Sequence, residues 1–177
     1  MEDQISTVSR TTLVLPSVGK IPELRLEMAK VIEAEMRLVE IKTVNPVTYV
    51  DLESCFGESY RDLKRHLSSV EGQLGLADKA LNIAKSDLLL DKYPEYLEQN
   101  SIKKTQDNAD LRQAFFMRDP AYIAALDRIN QLKVLQSNID GKIKVVENAC
   151  RYMRKQMDLV IRSGLSNRDY YATHGKK

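Results

Sequence analysis

Few side chains in this sequence have the type and spacing that catalysis or metal binding requires. The histidines, His66 and His174, lack the clustered Cys, Asp and Glu partners of a metal site, and Asp62 predicts only a surface contact with His66. Cys55 and Cys150 are too few for a disulfide framework or a four-ligand zinc site, so we expect reduced thiols. The sequence predicts a protein that is not an enzyme and needs no cofactor or metal. Catalysis at Cys55 or His66 is the least favoured interpretation.

A phosphate-binding loop for nucleotide hydrolysis is not predicted either. Such a loop needs a glycine, four residues and then Gly-Lys-Ser/Thr, because consecutive backbone N–H groups must wrap the phosphates. The Gly-Lys pairs begin at residues 19, 141 and 175, and none has a glycine five residues upstream.

Positive charge is the chemistry that remains, and it is concentrated in the second part of the chain. Residues 1–102 hold 12 Lys/Arg against 17 Asp/Glu, whereas residues 103–177 hold 15 against 8. A basic half is typical of a surface that faces a polyanion, although solvated helix faces carry similar charge.

Cations and aromatic rings alternate around the segment where the chain must turn between two long helices. Cations neutralise phosphates and rings stack on unpaired bases, which predicts a site for single-stranded DNA. The alternative is a polar connector with Phe115 and Phe116 packed beneath it. The rings are Tyr93, Tyr96, Phe115 and Phe116, and the predicted DNA-binding cations are Lys79, Lys85, Lys103, Lys104, Arg112 and Arg118.

A second basic row follows from helical spacing near the end of the chain. Lys144, Arg151, Lys155 and Arg162 recur at steps of seven, four and seven, which places them on one face of a helix. Glu147 and Asp158 interrupt that surface. We therefore rank this row below the connector and expect a solvated coiled-coil flank.

Helical periodicity predicts an all-α fold built on a long antiparallel coiled-coil hairpin with a short N-terminal helix. Asn45-Pro46 and Asp119-Pro120 are caps followed by a proline whose φ already suits a helix. Residues 1–20 are expected to form a flexible or extended arm, and 21–177 a single helical domain. Its predicted parts are a short helix 22–42, a long helix 46–93, a connector 94–118, a long helix 120–163 and a basic tail 164–177.

Heptad spacing defines the expected contacts of both long helices. In the first, one seam position holds Tyr60, Leu67, Leu74, Leu81 and Leu88, and the other holds Leu63, Val70, Ala77 and Ala84. The apolar stripe of the second is longer than one partner helix covers, which predicts a homo-oligomer. The predicted oligomerisation residues are Ile143, Val146, Cys150, Met153, Met157 and Val160.

The hydropathy pattern argues against a membrane protein. No stretch approaches the roughly 18 consecutive apolar residues of a membrane span, and the acidic start, Met1-Glu2-Asp3, differs from the basic start of a secretory signal. We therefore expect a cytoplasmic protein.

The order of these features resembles the phage recombination mediator family (UvsY-like) over about residues 60–171. The similarity lies in the heptad helix, the connector with Ala109-Asp110-Leu111-Arg112 before Asp119-Pro120, and the last helix. There Glu147-Asn148-Ala149-Cys150 leads into Met157-Asp158-Leu159-Val160-Ile161-Arg162-Ser163-Gly164 and then Tyr170. The chain departs from the family in its longer N-terminal arm and its less Lys-rich first helix.

The resemblance implies a homo-oligomeric ring, with seven subunits as the implied number, that acts in DNA recombination and repair. Such a ring binds single-stranded DNA and helps load a RecA-like recombinase onto DNA coated by single-strand-binding protein. If the chain is phage-encoded, it acts in the host cell cytoplasm. The alternative is a structural or scaffold coiled-coil protein that does not bind nucleic acid.

Overall fold

A computed structural model describes residues 11–103 and 107–174 of the chain, with side chains as far as residue 163. The described part is mostly helical, and none of its helices has the length and apolar character needed to cross a membrane. It divides into two compact units, and both long helices contribute residues to each. Unit 1 comprises the described parts of Met1–Leu13, Glu27–His66 and Ile139–Lys177, and unit 2 comprises Val14–Leu26 and Leu67–Asn138.

The chain begins with a small two-stranded sheet, in which β1 (Thr12–Leu15) pairs with β2 (Leu24–Glu27). Along β2, Leu24 and Leu26 are buried while the side chains between and after them are exposed. This alternation has the period of a strand, so the prediction of a helix from residue 22 is wrong as far as residue 28. Gly19, with a φ of 55°, forms the turn between Val18 and Ile21, whose backbones exchange two hydrogen bonds of 2.9 Å.

The predicted short N-terminal helix consists of an α-helix followed by a 3-10 helix. Helix α1 (Ala29–Met36) buries Val31 and Ala34, and a 3-10 helix (Arg37–Thr43) follows it. The Arg37 guanidinium bonds to the carboxylates of Glu40 and Asp51, which ties the 3-10 helix to the start of the next helix.

Two long helices begin where the sequence predicts. In α2 (Pro46–Asp87), Oδ1 of Asn45 accepts hydrogen bonds from the backbone N–H groups of Val47 at 2.9 Å and Thr48 at 3.1 Å. In α5 (Pro120–His174), Oδ1 of Asp119 accepts from Ala121 at 2.9 Å and Tyr122 at 3.1 Å. Both Asx-Pro helix starts are therefore confirmed as side-chain caps.

The predicted helix ends are wrong, because the chain stays helical beyond them. A π-helix (Leu88–Lys92) follows α2 and leads into α3 (Tyr93–Gln99). Pro94 lacks an N–H and would clash with the carbonyl four residues earlier in a normal turn, and the wider π turn separates the two. The connector also contains α4 (Ala109–Phe116), capped by Asn108, and α5 runs on through Gly164.

The buried stripe of α2 is rotated from the predicted seams. Leu63, Val70, Ala77 and Leu88 are buried as predicted, but Ala84 and the row Tyr60, Leu67, Leu74 and Leu81 are only half-buried. A polar row is buried instead, formed by Ser59, His66 and Gln73 at heptad spacing. The predicted surface contact of His66 is also wrong, because its ring is 7% exposed and its Nε2 donates to the carbonyl oxygen of Glu27 at 2.8 Å.

Within unit 2, α2 and α5 lie antiparallel. Glu71 contacts Gln136 at 3.5 Å, and further along α2 Leu88 packs in a cluster with Phe116 and Tyr122. Within unit 1, the same two helices are joined by an ion pair between Glu53 and Arg154 at 3.7 Å.

The two caps differ in one property, since Asp119 titrates and Asn45 does not. Burial opposes ionisation of Asp119, but the bonds from Lys92 at 3.1 Å and from the backbone outweigh it and lower the pKa of this carboxyl. The contribution of the Asp119 carboxylate to the free energy of unfolding is therefore present above its unfolded pKa of about 3.9. It is lost as the pH falls through the lower pKa of the folded state.

We expect Asp119→Ala to lower the free energy of unfolding by about 1 kcal/mol at neutral pH, and by less as the pH falls from about 5 to about 3. Asn45→Ala is the matched control and should cost about the same at every pH. Urea denaturation across this pH range measures both. Equal pH dependence of the two variants would contradict the role assigned to the Asp119 carboxylate.

Arg128 is an unusual core residue of unit 2. Its side chain is 1% exposed, and its Nη2 donates to the carbonyl oxygens of Leu15 at 3.5 Å and Pro22 at 3.4 Å. Its Nε and Nη1 have no hydrogen-bond partner among the described residues, and burial lowers its pKa. The guanidinium joins the last residue of β1 to the segment just before β2, and part of its hydrogen-bonding capacity has no described partner.

Because an unpaired buried charge is costly, we expect Arg128→Met to leave the free energy of unfolding unchanged or to raise it by up to about 4 kcal/mol. Arg128→Lys keeps the charge but loses the planar group that spans both carbonyls, so it should destabilise the protein. Chemical denaturation distinguishes the two. Strong destabilisation by Met would show that the two backbone bonds outweigh desolvation.

Candidate nucleic-acid interface

Aromatic side chains from α3, α4 and the start of α5 pack together in unit 2. The ring centroids of Tyr93 and Phe115 are 5.1 Å apart, those of Tyr96 and Phe115 are 4.9 Å apart, and those of Phe116 and Tyr122 are 5.5 Å apart. Tyr93, Phe116 and Tyr122 are 5%, 6% and 2% exposed. These three rings therefore form a small core and offer little surface on which a base could stack.

An ion pair closes one side of this aromatic core. The Arg112 guanidinium donates two bonds to the Asp107 carboxylate, at 2.8 and 2.7 Å, and the Tyr93 hydroxyl donates to Asp107 at 2.7 Å. The bond from Arg112 is the main reason that the pKa of Asp107 lies below its ordinary value. Burial and this hydrogen bond raise the pKa of Tyr93. The Arg112 charge is largely compensated within the chain.

The other predicted connector cations are distributed around this core. The Arg118 guanidinium lies over the Tyr96 ring, 5.3 Å from its centroid, and the Lys85 ammonium is 5.9 Å from the centroid of Tyr122. Lys79 is exposed on α2 in a groove that Asp78 and Asp87 also line. Lys103 is exposed, and Lys104 lies outside the described residues.

The connector carries less positive potential than its cations suggest. Between residues 78 and 119 the described chain holds eight carboxylates and six Lys/Arg side chains. Of the four predicted stacking rings, Tyr93 and Phe116 are buried, whereas Tyr96 and Phe115 are half-buried and pack against other rings. With Arg112 also paired, this arrangement is closer to the alternative in which the aromatic residues pack beneath the loop.

The second basic row has a different environment in unit 1. Lys144, Arg151, Lys155 and Arg162 are all exposed on α5, and none forms an ion pair with a described residue. Of the two other cations between residues 142 and 162, Lys142 pairs with Glu35, and Arg154 lies 3.7 Å from Glu53. The carboxylates of α5 in this range are Glu147 and Asp158. The row ranked second from sequence is therefore the more open cationic surface.

The predicted oligomerisation stripe is mostly covered within a single chain. Three of its residues are buried: the exposed fractions of Ile143, Val146 and Met153 are 4%, 4% and 1%. The expectation that one chain leaves the stripe uncovered is therefore wrong at these three positions. Cys150 and Met157 are half-buried, and Val160 is 38% exposed. Oligomerisation itself stays a prediction, and a second copy would meet mainly the outer side chains.

Sequence reasoning did not select an apolar row that lies next to the basic row. Val145, Tyr152 and Leu159 are 46%, 41% and 53% exposed and recur every seven residues. The heptad spacing was a usable signal, but only the packing shows that this row faces outward while Met153 faces inward. Tyr152 thus supplies an exposed ring directly after Arg151 in the sequence of α5.

The remaining candidates for chemistry are a metal-binding cluster and the two cysteines. No group of three or more His, Cys, Asp or Glu side chains there could hold a metal ion. Cys55 and Cys150 are free and half-buried, and burial is the main cause that raises the pKa of both thiols.

No protein-family model matches the chain, and no curated protein or solved structure is significantly similar to it. The resemblance to the recombination mediators therefore depends on the sequence features quoted above.

The two basic surfaces can be separated by paired substitutions. We expect Arg151→Ala with Lys155→Ala to weaken binding of single-stranded DNA and to flatten the salt dependence, because each phosphate contact contributes roughly 0.7 to the slope of log affinity against log salt. Lys103→Ala with Lys104→Ala removes the same charge from the connector and should have the smaller effect. Fluorescence anisotropy across a salt series measures both. The reverse ranking would return the site to the connector.

Proposed function

We propose that this protein binds single-stranded DNA without sequence preference, as a homo-oligomeric recombination mediator. The observation that carries the proposal is the row of four exposed α5 cations without carboxylate partners among the described residues. At 1.5 Å per residue the row from Lys144 to Arg162 extends roughly 27 Å, enough to follow several nucleotides. The exposed Tyr152 ring beside it suits unpaired bases.

We also propose that α2 and α5 pair as an antiparallel coiled coil. The buried heptad positions Leu63, Val70 and Ala77 support this, as do the contacts between the two helices within each unit. A rigid helical pair would hold the cations of α5 in a straight row. Phosphates could then be neutralised without ordering a flexible loop.

The partners follow from the resemblance. We propose that the bound strand is passed to a RecA-like recombinase on DNA coated by single-strand-binding protein, and that several subunits act together. One row of four cations binds weakly at physiological salt, whereas linked rows gain effective concentration. The proposed activity is binding and transfer of a strand, with no bond made or broken.

A structural or scaffold coiled coil is the second candidate. Exposed apolar side chains in unit 1 favour it, because such side chains typically contact another protein. They are Met36, Val39, Val47 and Val50, which are 68%, 70%, 86% and 69% exposed.

The deciding measurement is anisotropy with labelled single-stranded and duplex DNA of equal length. We expect tighter binding of the single strand, because stacking on a side chain needs unpaired bases. Equal affinities would indicate electrostatic attraction alone. Absence of binding at low salt, with an oligomeric mass by light scattering, would support the scaffold candidate, and a monomeric mass would contradict the oligomer.

A further inference from the structure

An open groove of about 540 Å³ lies in unit 1 between α2 and α5. On the α2 side it is lined by Gly57 and Tyr60, and on the α5 side by Glu147, Cys150, Arg151 and Arg154. Arg151 also belongs to the exposed basic row. The groove therefore continues that row to the boundary between the two helices.

Gly57 is a reason for the groove. A Cβ atom built on Gly57 would meet no described atom within 4 Å outside its chain neighbours and the nearby backbone of its own helix, so no described side chain fills the space beside this backbone. A glycine inside a helix costs roughly 0.5–1 kcal/mol relative to alanine, and close approach of a ligand to the backbone is one use that offsets this cost. Gly72, Gly75 and Gly141 are equally open. What distinguishes Gly57 is the lining of the groove.

That lining combines the Tyr60 ring with two arginines, Arg151 and Arg154, and two further cations of α2 lie beside it. The Lys64 ammonium lies 5.5 Å from the centroid of the Tyr60 ring, and Nε of Arg61 donates to the Gly57 carbonyl oxygen at 3.4 Å. Arg154 is 67% exposed at its side chain, and its distance of 3.7 Å from Glu53 makes a weak ion pair. A ring and arginines in one open groove match the base and the phosphates of a nucleotide chain.

We propose that this groove binds one or two nucleotides of an unpaired phosphodiester strand, with Arg151 and Arg154 on the phosphates and a base against Tyr60. The proposal rests on the proposed function, because it deepens the same α5 surface. Glu147 faces the same groove and repels a phosphate, so it limits the affinity of the site. Glu147→Gln should therefore bind a strand more tightly than the natural chain does.

The glycine allows a test that changes no charge. Gly57→Leu fills the groove with a side chain that favours helix, and Gly72→Leu is the matched control on the same helix. We expect both variants to melt at or above the temperature of the natural chain in circular dichroism. Only Gly57→Leu should weaken binding of fluorescein-labelled oligo(dT), by about tenfold, which is within the range for loss of one stacked base.

The two cysteines provide a second readout on the unaltered chain. Cys150 lines the groove, whereas Cys55 lies in a separate pocket with Lys30, Arg37 and Glu58, and both thiols are half-buried. We expect oligo(dT) to slow the reaction of Cys150 with N-ethylmaleimide several-fold and to leave Cys55 unchanged. Mass spectrometry of digested protein gives the two rates separately.

The outcomes distinguish this site from the function on which it rests. If Gly57→Leu binds oligo(dT) as the natural chain does and Cys150 gains no protection, the groove is not the site. The proposed function would still stand in that case, provided that Arg151→Ala with Lys155→Ala abolishes binding of oligo(dT). If the natural chain binds no oligo(dT) at low salt, both proposals are wrong.

Discussion

Burial of one narrow stripe on each long helix is the constraint on which the rest of this structure depends. Leu63 and Val70 of α2 and Ile143 and Met153 of α5 are removed from water, and the side chains about half a turn away must then face outward. Lys144 and Arg151 are exposed for this reason. The cationic surface is thus a geometric consequence of where the core lies.

The buried stripe is not purely apolar, and the polar positions in it have particular roles. His66 donates to a backbone carbonyl of the N-terminal segment, and Arg128 bridges two carbonyls of the β-hairpin. Each ties a part of the N-terminal segment to a long helix within its own unit. These contacts fix where the N-terminal segment lies against each long helix. They carry a desolvation cost that apolar residues would not have, because buried polar groups lose their hydrogen bonds to water.

Charge alone did not identify the more open surface. The described residues between 78 and 119 have as many cations as the end of α5, but they also hold more carboxylates than cations. Asp107, for example, takes up the charge of Arg112 through two short bonds. On α5 the neighbouring carboxylates are fewer. A bound DNA strand would encounter only the charge that remains after such pairing. Because pairing across a connector depends on how the chain turns, the sequence alone does not reveal that remaining charge.

The sequence by itself determined the helical class, the starts of both long helices and the heptad spacing, because caps and periodicity act over a few residues. It left undecided the strand at Leu24–Glu27, the helical path through Pro94 and the rotation that buries Ser59 and His66 but leaves Tyr60 half-buried. A proline does not have to end a helix, because a wider π turn can accommodate it. A buried stripe shifted by one residue along α2 also fits the heptad period nearly as well, so the period alone does not choose between the two. Contacts between distant residues, such as Glu27 with His66, make that choice, and only the tertiary structure contains them.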